Sequence, residues 1–262
     1  MAKPKIGLSL LYKLGEPFDK SLMDAVRRNV KLIEIVDEGI HALDKRKTSM
    51  LVDLGKSYGL SYSVHAPFAD INIASPSRNL LNVMMKRLKR SMECACALGA
   101  YLWVFHPGLK TGISSFYPEA EWRQNIKSVQ LLYKYSKIYG IKVAIENLPE
   151  PYPFLMKSVE EFQRFYDEIG EAADMGFALD VGHANINGQI ELFIEKFRDK
   201  LIHIHVHDNH GREDQHLGIG YGKVNWESFA NALKSISYDR TVIVESVEHV
   251  SESLQQLERL LF

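Results

Sequence analysis

Apolar positions along this chain fall into two alternating textures. Short, nearly continuous apolar runs occur at IGLSL (6–10), KLIEIV (31–36), LSYSVHA (60–66), YLWVFH (101–106), IKVAIE (141–146), MGFALD (175–180), LIHIHVH (201–207) and TVIVES (241–246). They are rich in Val, Ile and aromatic residues, the composition of buried strands. Between them lie longer stretches, such as 79–98, 119–139, 158–169 and 226–236, in which apolar residues recur every three or four positions. That recurrence is the helical period. Gly59, Gly99 and Gly140 each stand just ahead of a strand run, where a helix stop belongs.

Strand and helix thus alternate eight times with no low-complexity linker, which predicts parallel strands joined by crossover helices. Eight units in 262 residues is the size of an α/β fold of the (β/α)8 type, a TIM barrel, here expected as one domain over 1–262. The rival is a doubly wound open sheet, which carries a glycine-rich turn after its first strand. Here that turn reads LLYKLGEP, with one glycine and no GxGxxG.

Composition adds limits. With 46% hydrophobic and 25% charged residues the chain can bury a large core. A net charge of −1 gives no overall pull toward nucleic acid or membrane. The basic run Met84–Arg90 (MMKRLKR) is expected to be a solvated helix face. Cys94 and Cys96 do not form a disulfide framework or half a zinc ribbon and are read as buried thiols, which suits a reducing cytoplasm. The start, MAKPKIGLSLLYKLGEPF, has too short an apolar run for a secretory signal. No window reaches the ~18 apolar residues that span a bilayer. A cytoplasmic protein without a membrane partner is therefore expected.

The chemistry lies at the strand ends. In such a barrel the working groups gather at the C-terminal ends of the strands. Six consecutive runs finish with a residue able to bind a metal: His65, His106, Glu146, Asp180, His205 and Glu245. A lone residue of this kind is usually a hydrogen-bonded anchor or a helix cap, but six on one rim point to a shared site. His183 follows Asp180 in DVGH, and Asp214 and His216 form a DxH pair. These nine candidates comprise five histidines and four carboxylates, a formal charge of −4 with neutral imidazoles. Two divalent ions would neutralise that; three would leave +2. Imidazole plus carboxylate suits zinc, manganese, iron or cobalt.

HIHVHDNHGREDQH (203–216) holds half of the chain's ten histidines. In a strand His203, His205 and His207 share a face, and neighbours on that face lie ~6.8 Å apart along the strand, too far to ligate one ion together. His205 is read as the ligand, His203 as a deeper barrel residue that orients it, and His207 and His210 as loop or substrate residues. Glu34 and Asp37 are within reach of the site or are internal structural acids. Trp103 and Trp226 are read as packing, and His41 and His249 as surface.

The set HAPFADIN, FHPG, IEN, LDVGHA, HIHVHDN, DQHLGIGYG and VES resembles the xylose isomerase-like TIM-barrel superfamily, from about residue 5 to 262. That superfamily includes endonuclease IV, the family 2 apurinic/apyrimidinic endonucleases, and many sugar and sugar-phosphate isomerases and epimerases. The endonuclease pattern implies three zinc ions. His65, His106 and Glu146 would surround one, Glu146 would bridge to a second completed by Asp180, His205 and Glu245, and His183, Asp214 and His216 would hold the third. The epimerase pattern implies one ion on Glu146, Asp180, His205 and Glu245, with Glu146 and Glu245 as paired acid/base groups and His183 on a substrate hydroxyl. Cofactors of one to three divalent ions, Zn2+ or Mn2+ foremost, follow from either.

Departures separate the two. Endonuclease loops read DTCHAFAAG, ENTAG and HLND, whereas here stand DVGHANING, ENLPEPYPF and HVHDN. The epimerase branch often places an arginine six residues after the seventh-strand histidine. Gly211 occupies that position, with Arg212 one further on. The expectation is a metal-dependent isomerase or epimerase acting on a small sugar or sugar phosphate. The alternative is hydrolysis at abasic DNA, with Phe68 as a residue that could penetrate the duplex.

Overall fold

The structure, a computed structural model, describes residues 3–262. All eight anticipated strands are present, with ends shifted by a residue or two: β1 (Lys5–Ser9), β2 (Leu32–Val36), β3 (Ser61–His65), β4 (Leu102–Phe105), β5 (Val143–Glu146), β6 (Gly176–Asp180), β7 (Leu201–Val206) and β8 (Thr241–Val244). They pair in parallel in chain order, and β1 joins both β2 and β8, so the sheet closes into a barrel. The closing register sets Lys5 beside Thr241 and Leu8 beside Val244.

The crossovers are α1 (Phe18–Arg27), α2 (Lys45–Tyr58), α3 (Arg78–Leu98), α4 (Ala120–Tyr139), α5 (Val159–Glu168), α6 (Val181–Ile186), α7 (Ile190–Lys196), α8 (Trp226–Ser235) and α9 (Val250–Leu261). Gly59, Gly99 and Gly140 end α2, α3 and α4 in the left-handed region, at φ of 64, 73 and 68°. That conformation is open to glycine at little steric cost.

Alternation along the strands separates two cores. Trp103 and Phe105 point outward into the main core beneath the helices, with rings stacked at 5.2 Å. Leu102 and Val104 point inward and pack with Ala144 and Ala178 as a small cluster inside the ring. Trp103 and Trp226 are buried, as expected of packing residues.

Four expectations are corrected. His41 is buried, its Nε2 2.9 Å from the Glu16 carbonyl and its ring edge-on to Phe18. Cys96 is exposed and Cys94 half-buried, because α3 turns the CAC triplet partly outward. Within the basic run, Arg87 is not free: it donates from both terminal nitrogens to buried Asp37 at 2.7 and 3.0 Å. His207 leaves the loop category altogether, as described below. Among the described residues no helix is long and apolar enough to cross a membrane.

Candidate metal centre

The strand ends deliver their polar residues to one mouth of the barrel. His65, Glu146 and Asp180 are the last residues of β3, β5 and β6, and His106 and Glu245 follow β4 and β8 directly. His205 lies within β7 and points inward, opposite to Ile204 and Val206, which join the outer core. His183 sits on α6, whose short first turn is capped by Asp180: Oδ1 accepts from the His183 amide at 2.7 Å. The Asn147 side chain ties β5 to β6, accepting from the Asp180 amide and donating to its carbonyl.

Asp214 and His216 arrive on a long loop after β7, and Asp208 organises that loop. Its carboxylate accepts from the amides of Asn209, Gly220 and Val224 and from the Trp226 indole, all at 2.9–3.0 Å. Paired bonds between Asp208 and Leu217 close the loop like a short ribbon. His216 holds a left-handed backbone at φ 49°, a conformation that a non-glycine residue keeps when its surroundings over-determine it.

Among the described residues, His65, His106 and Glu146 place donor atoms within 4.8 Å of one another. So do Glu146, Asp180 and His183; Asp180, His205 and Glu245; and His183, Asp214 and His216 together with His207. All nine predicted candidates therefore meet around one cleft. His210 and Arg212 do not join them; both are exposed. Phe68 does border the cleft, edge-on to His65.

Hydrogen-bond direction tells which nitrogens face inward. His65 Nδ1 lies 2.9 Å from the Ala66 carbonyl, His183 Nδ1 2.8 Å from that of Asn147, and His216 Nδ1 3.0 Å from that of Glu245. A carbonyl can only accept, so each Nδ1 carries the proton and each neutral ring aims an Nε2 lone pair at the cleft. There the lone pairs meet carboxylate oxygens: His65 and His106 Nε2 lie 3.3 and 3.4 Å from Glu146 Oε2, yet that oxygen has no hydrogen bond. Asp180 Oδ2 and Asp214 Oδ1 are likewise buried without a partner. Lone pairs facing lone pairs in a buried site require positive charge between them, and the donor set fits divalent metal ions.

His205 is oriented the opposite way. Its Nε2 approaches Glu34 Oε1 at 2.8 Å, and its Nδ1 faces Glu146 and Glu245 at 3.1 and 3.7 Å. Glu34 also meets His203 Nε2 at 2.9 Å and accepts from Ser63, while His203 Nδ1 reaches Thr241. Glu34 is thus an internal acid beneath the site; a lone acid in the apolar LIEIV strand was its sequence signal.

Without metal, the same demand for positive charge shows in the titration of the rings. Burial would push the His183 imidazole down, but Asp180, Asp214 and Glu146 outweigh it and raise it to about 10. Against the same opposition from burial, Glu146, Glu245 and Glu34 raise His65 to about 9, and Asp214, Glu245 and Asp180 raise His216 to about 9. Glu146 is held well below the usual carboxylate range: burial opposes its ionisation, and His205, His106 and His65 override it.

The cleft above these groups has a volume of about 470 Å³, within the range of small-molecule sites. Its upper walls are apolar, with Leu11, Leu14, Phe68, Leu148, Tyr152, Phe154 and Val247. No Lys or Arg is among its lining residues.

Comparison with known proteins agrees with this architecture. A structure described as a D-tagatose 3-epimerase-like protein superposes with a TM-score of 0.91 at 30% identity, covering 98% of this chain and 97% of that one. An uncharacterized protein of Methanocaldococcus jannaschii is 31% identical over 92% of this chain and 83% of its own length. A "Probable endonuclease 4" of Aquifex aeolicus is 27% identical over 73% of this chain and 72% of its own. Residues 24–260 match the family model for the xylose isomerase-like TIM barrel, and the chain belongs to that family.

Proposed function

We propose that this protein is a metal-dependent epimerase or isomerase that moves a proton beside the carbonyl of a small, uncharged sugar. The observation that carries the reading is the placing of Glu146 and Glu245. They come from β5 and β8, approach the same His205 nitrogen, and both line the cleft. Two carboxylates at one substrate can serve as acceptor and donor of the same proton position. The likeness to the D-tagatose 3-epimerase-like protein supports it.

A divalent ion held by Glu146, Asp180, His205 and Glu245 would polarise the substrate carbonyl and its neighbouring hydroxyl, making the adjacent C–H more acidic. Glu146, which the surrounding imidazoles keep ionised, accepts that proton. Glu245, carrying a proton taken up from solvent, delivers it to the carbon from its own side, Glu146 releases its proton to solvent afterwards, and the reverse reaction exchanges the roles. His183 has both nitrogens engaged, on the Asn147 carbonyl and on Asp214, so we assign it to the third donor group rather than to a substrate hydroxyl. The absence of Lys and Arg from the lining favours an unphosphorylated sugar over a sugar phosphate.

One observation favours a second reading, hydrolysis of a phosphodiester at abasic DNA: the third donor group is complete, and clustered ions suit phosphate esters. The cleft lining lacks the cationic side chains that hold a DNA backbone.

The test is to incubate metal-loaded protein with a panel of ketoses in D2O and follow deuterium at carbon by NMR. Incorporation is expected, and Glu146→Gln is expected to slow it by about 10²–10⁴-fold. No incorporation across the panel, together with scission of an abasic duplex that Glu146→Gln abolishes, would replace the first reading by the second.

A further inference from the structure

His207 and Gly182 lie at two of the positions where the chain departs from the endonuclease motifs, and in the fold they touch. A Cβ placed on Gly182 would lie 2.0–2.4 Å from three atoms of the His207 ring. The ring therefore occupies space that only a glycine at 182 leaves open. His207 is fully buried. Its Nδ1 turns toward the Asp208 carbonyl at 3.5 Å. Its Nε2 makes no hydrogen bond and faces Asp180 Oδ1 at 3.1 Å and Asp214 Oδ1 at 3.5 Å. Its ring stacks on His216 at 3.9 Å, and its donor joins those of His183, Asp214 and His216 within 4.8 Å.

We propose that His207 is a fourth protein ligand that closes the third metal site. Three imidazoles and one carboxylate fill the coordination of a tetrahedral zinc and leave no open position, the pattern of a structural rather than a catalytic ion. The buried Nε2 of His207 and the Asp214 Oδ1 that it faces both lack a hydrogen bond, and a shared cation would satisfy the two at once. Glycine at 182 is the device that admits the fourth ligand. The inference rests on the metal-dependent reading above, but it concerns the ion that does not meet the substrate.

The experiment counts metal rather than turnover. Zinc-loaded protein is dialysed against increasing EDTA and the remaining zinc is measured by elemental analysis. Wild type is expected to retain one ion per chain after the others are gone. His207→Asn, folded by circular dichroism, is expected to release that last ion at an EDTA concentration at least about tenfold lower. Parallel loss of all ions in both proteins would overturn the fourth ligand while leaving the metal reading intact. A wild type that takes up no zinc would overturn the metal reading itself. Should His207→Asn fail to fold, wild type carrying one tightly held Co2+ decides the matter: an intense visible band supports four-coordination, and a pale spectrum refutes it.

Discussion

Glu34 does for His205 what backbone carbonyls do for His65, His183 and His216. One carboxylate, fully buried, meets the Nε2 atoms of both His203 and His205 at 2.8–2.9 Å. The contacts are short and direct, so we read this cluster as backing the site rather than forming another one, although its atoms too lie within 4.8 Å of one another and Glu34 Oε1 makes no hydrogen bond. A carboxylate behind a metal-binding imidazole fixes its ring and raises its basicity. Glu34→Gln keeps the shape and removes the charge. We expect it to weaken the ion at Asp180, His205 and Glu245 by about 10–100-fold, read by competition with a chelating dye. Unchanged affinity would show that Glu34 merely fills space.

At the scale of elements, the strand and helix pattern was legible because it is local. An apolar run bounded by glycine or polar residues already contains what makes a strand, and the stops at Gly59, Gly99 and Gly140 depend only on backbone sterics. Gly59 allows a clean test, since a Cβ there would meet nothing within 4 Å and only the positive φ penalises it. Gly59→Ala should cost about 1–2 kcal/mol, seen in denaturant unfolding. Gly15→Ala, equally uncrowded but without a positive φ, should stay within about 0.5 kcal/mol. Equal losses in the two would refute the account. The illegible features all depend on contacts between elements. His41 is buried because the Glu16 carbonyl and Phe18 wait for it, and Arg87 leaves its solvated helix face because buried Asp37, just past β2, accepts its bonds. The period-two rule placed His207 on the face of His205, yet the missing Cβ at Gly182 that admits its ring lies on another crossover. The short α6, stopped near Gly188 at φ 61° before α7 begins, likewise showed no separate period.

For the whole molecule the consequence is a pH signature. His65, His183 and His216 titrate at about 9, 10 and 9 in the metal-free fold, against ~6.5 in an unfolded chain. A raised folded value means that protonation stabilises the fold. That contribution is full below pH ~6.5 and fades as pH rises through 9 to 10. The Tm of metal-free protein should therefore fall across this window. Metal-loaded protein, in which ions replace those protons, should fall less, and loading at neutral pH should release protons. Calorimetry of both forms checks this; parallel Tm curves would refute it.

The sealing of β1 against β8 also decides which contacts wait for the closed ring. His65, His106 and Glu146 come from three successive strands, and so do Asp180, His205 and Glu245, which β6, β7 and β8 bring together by pairing side by side. Glu34 is different: it stands on β2 yet meets His203 and His205 on β7, a contact made once β8 lies against β1. The buttress behind His205 therefore reports that the last seam has shut.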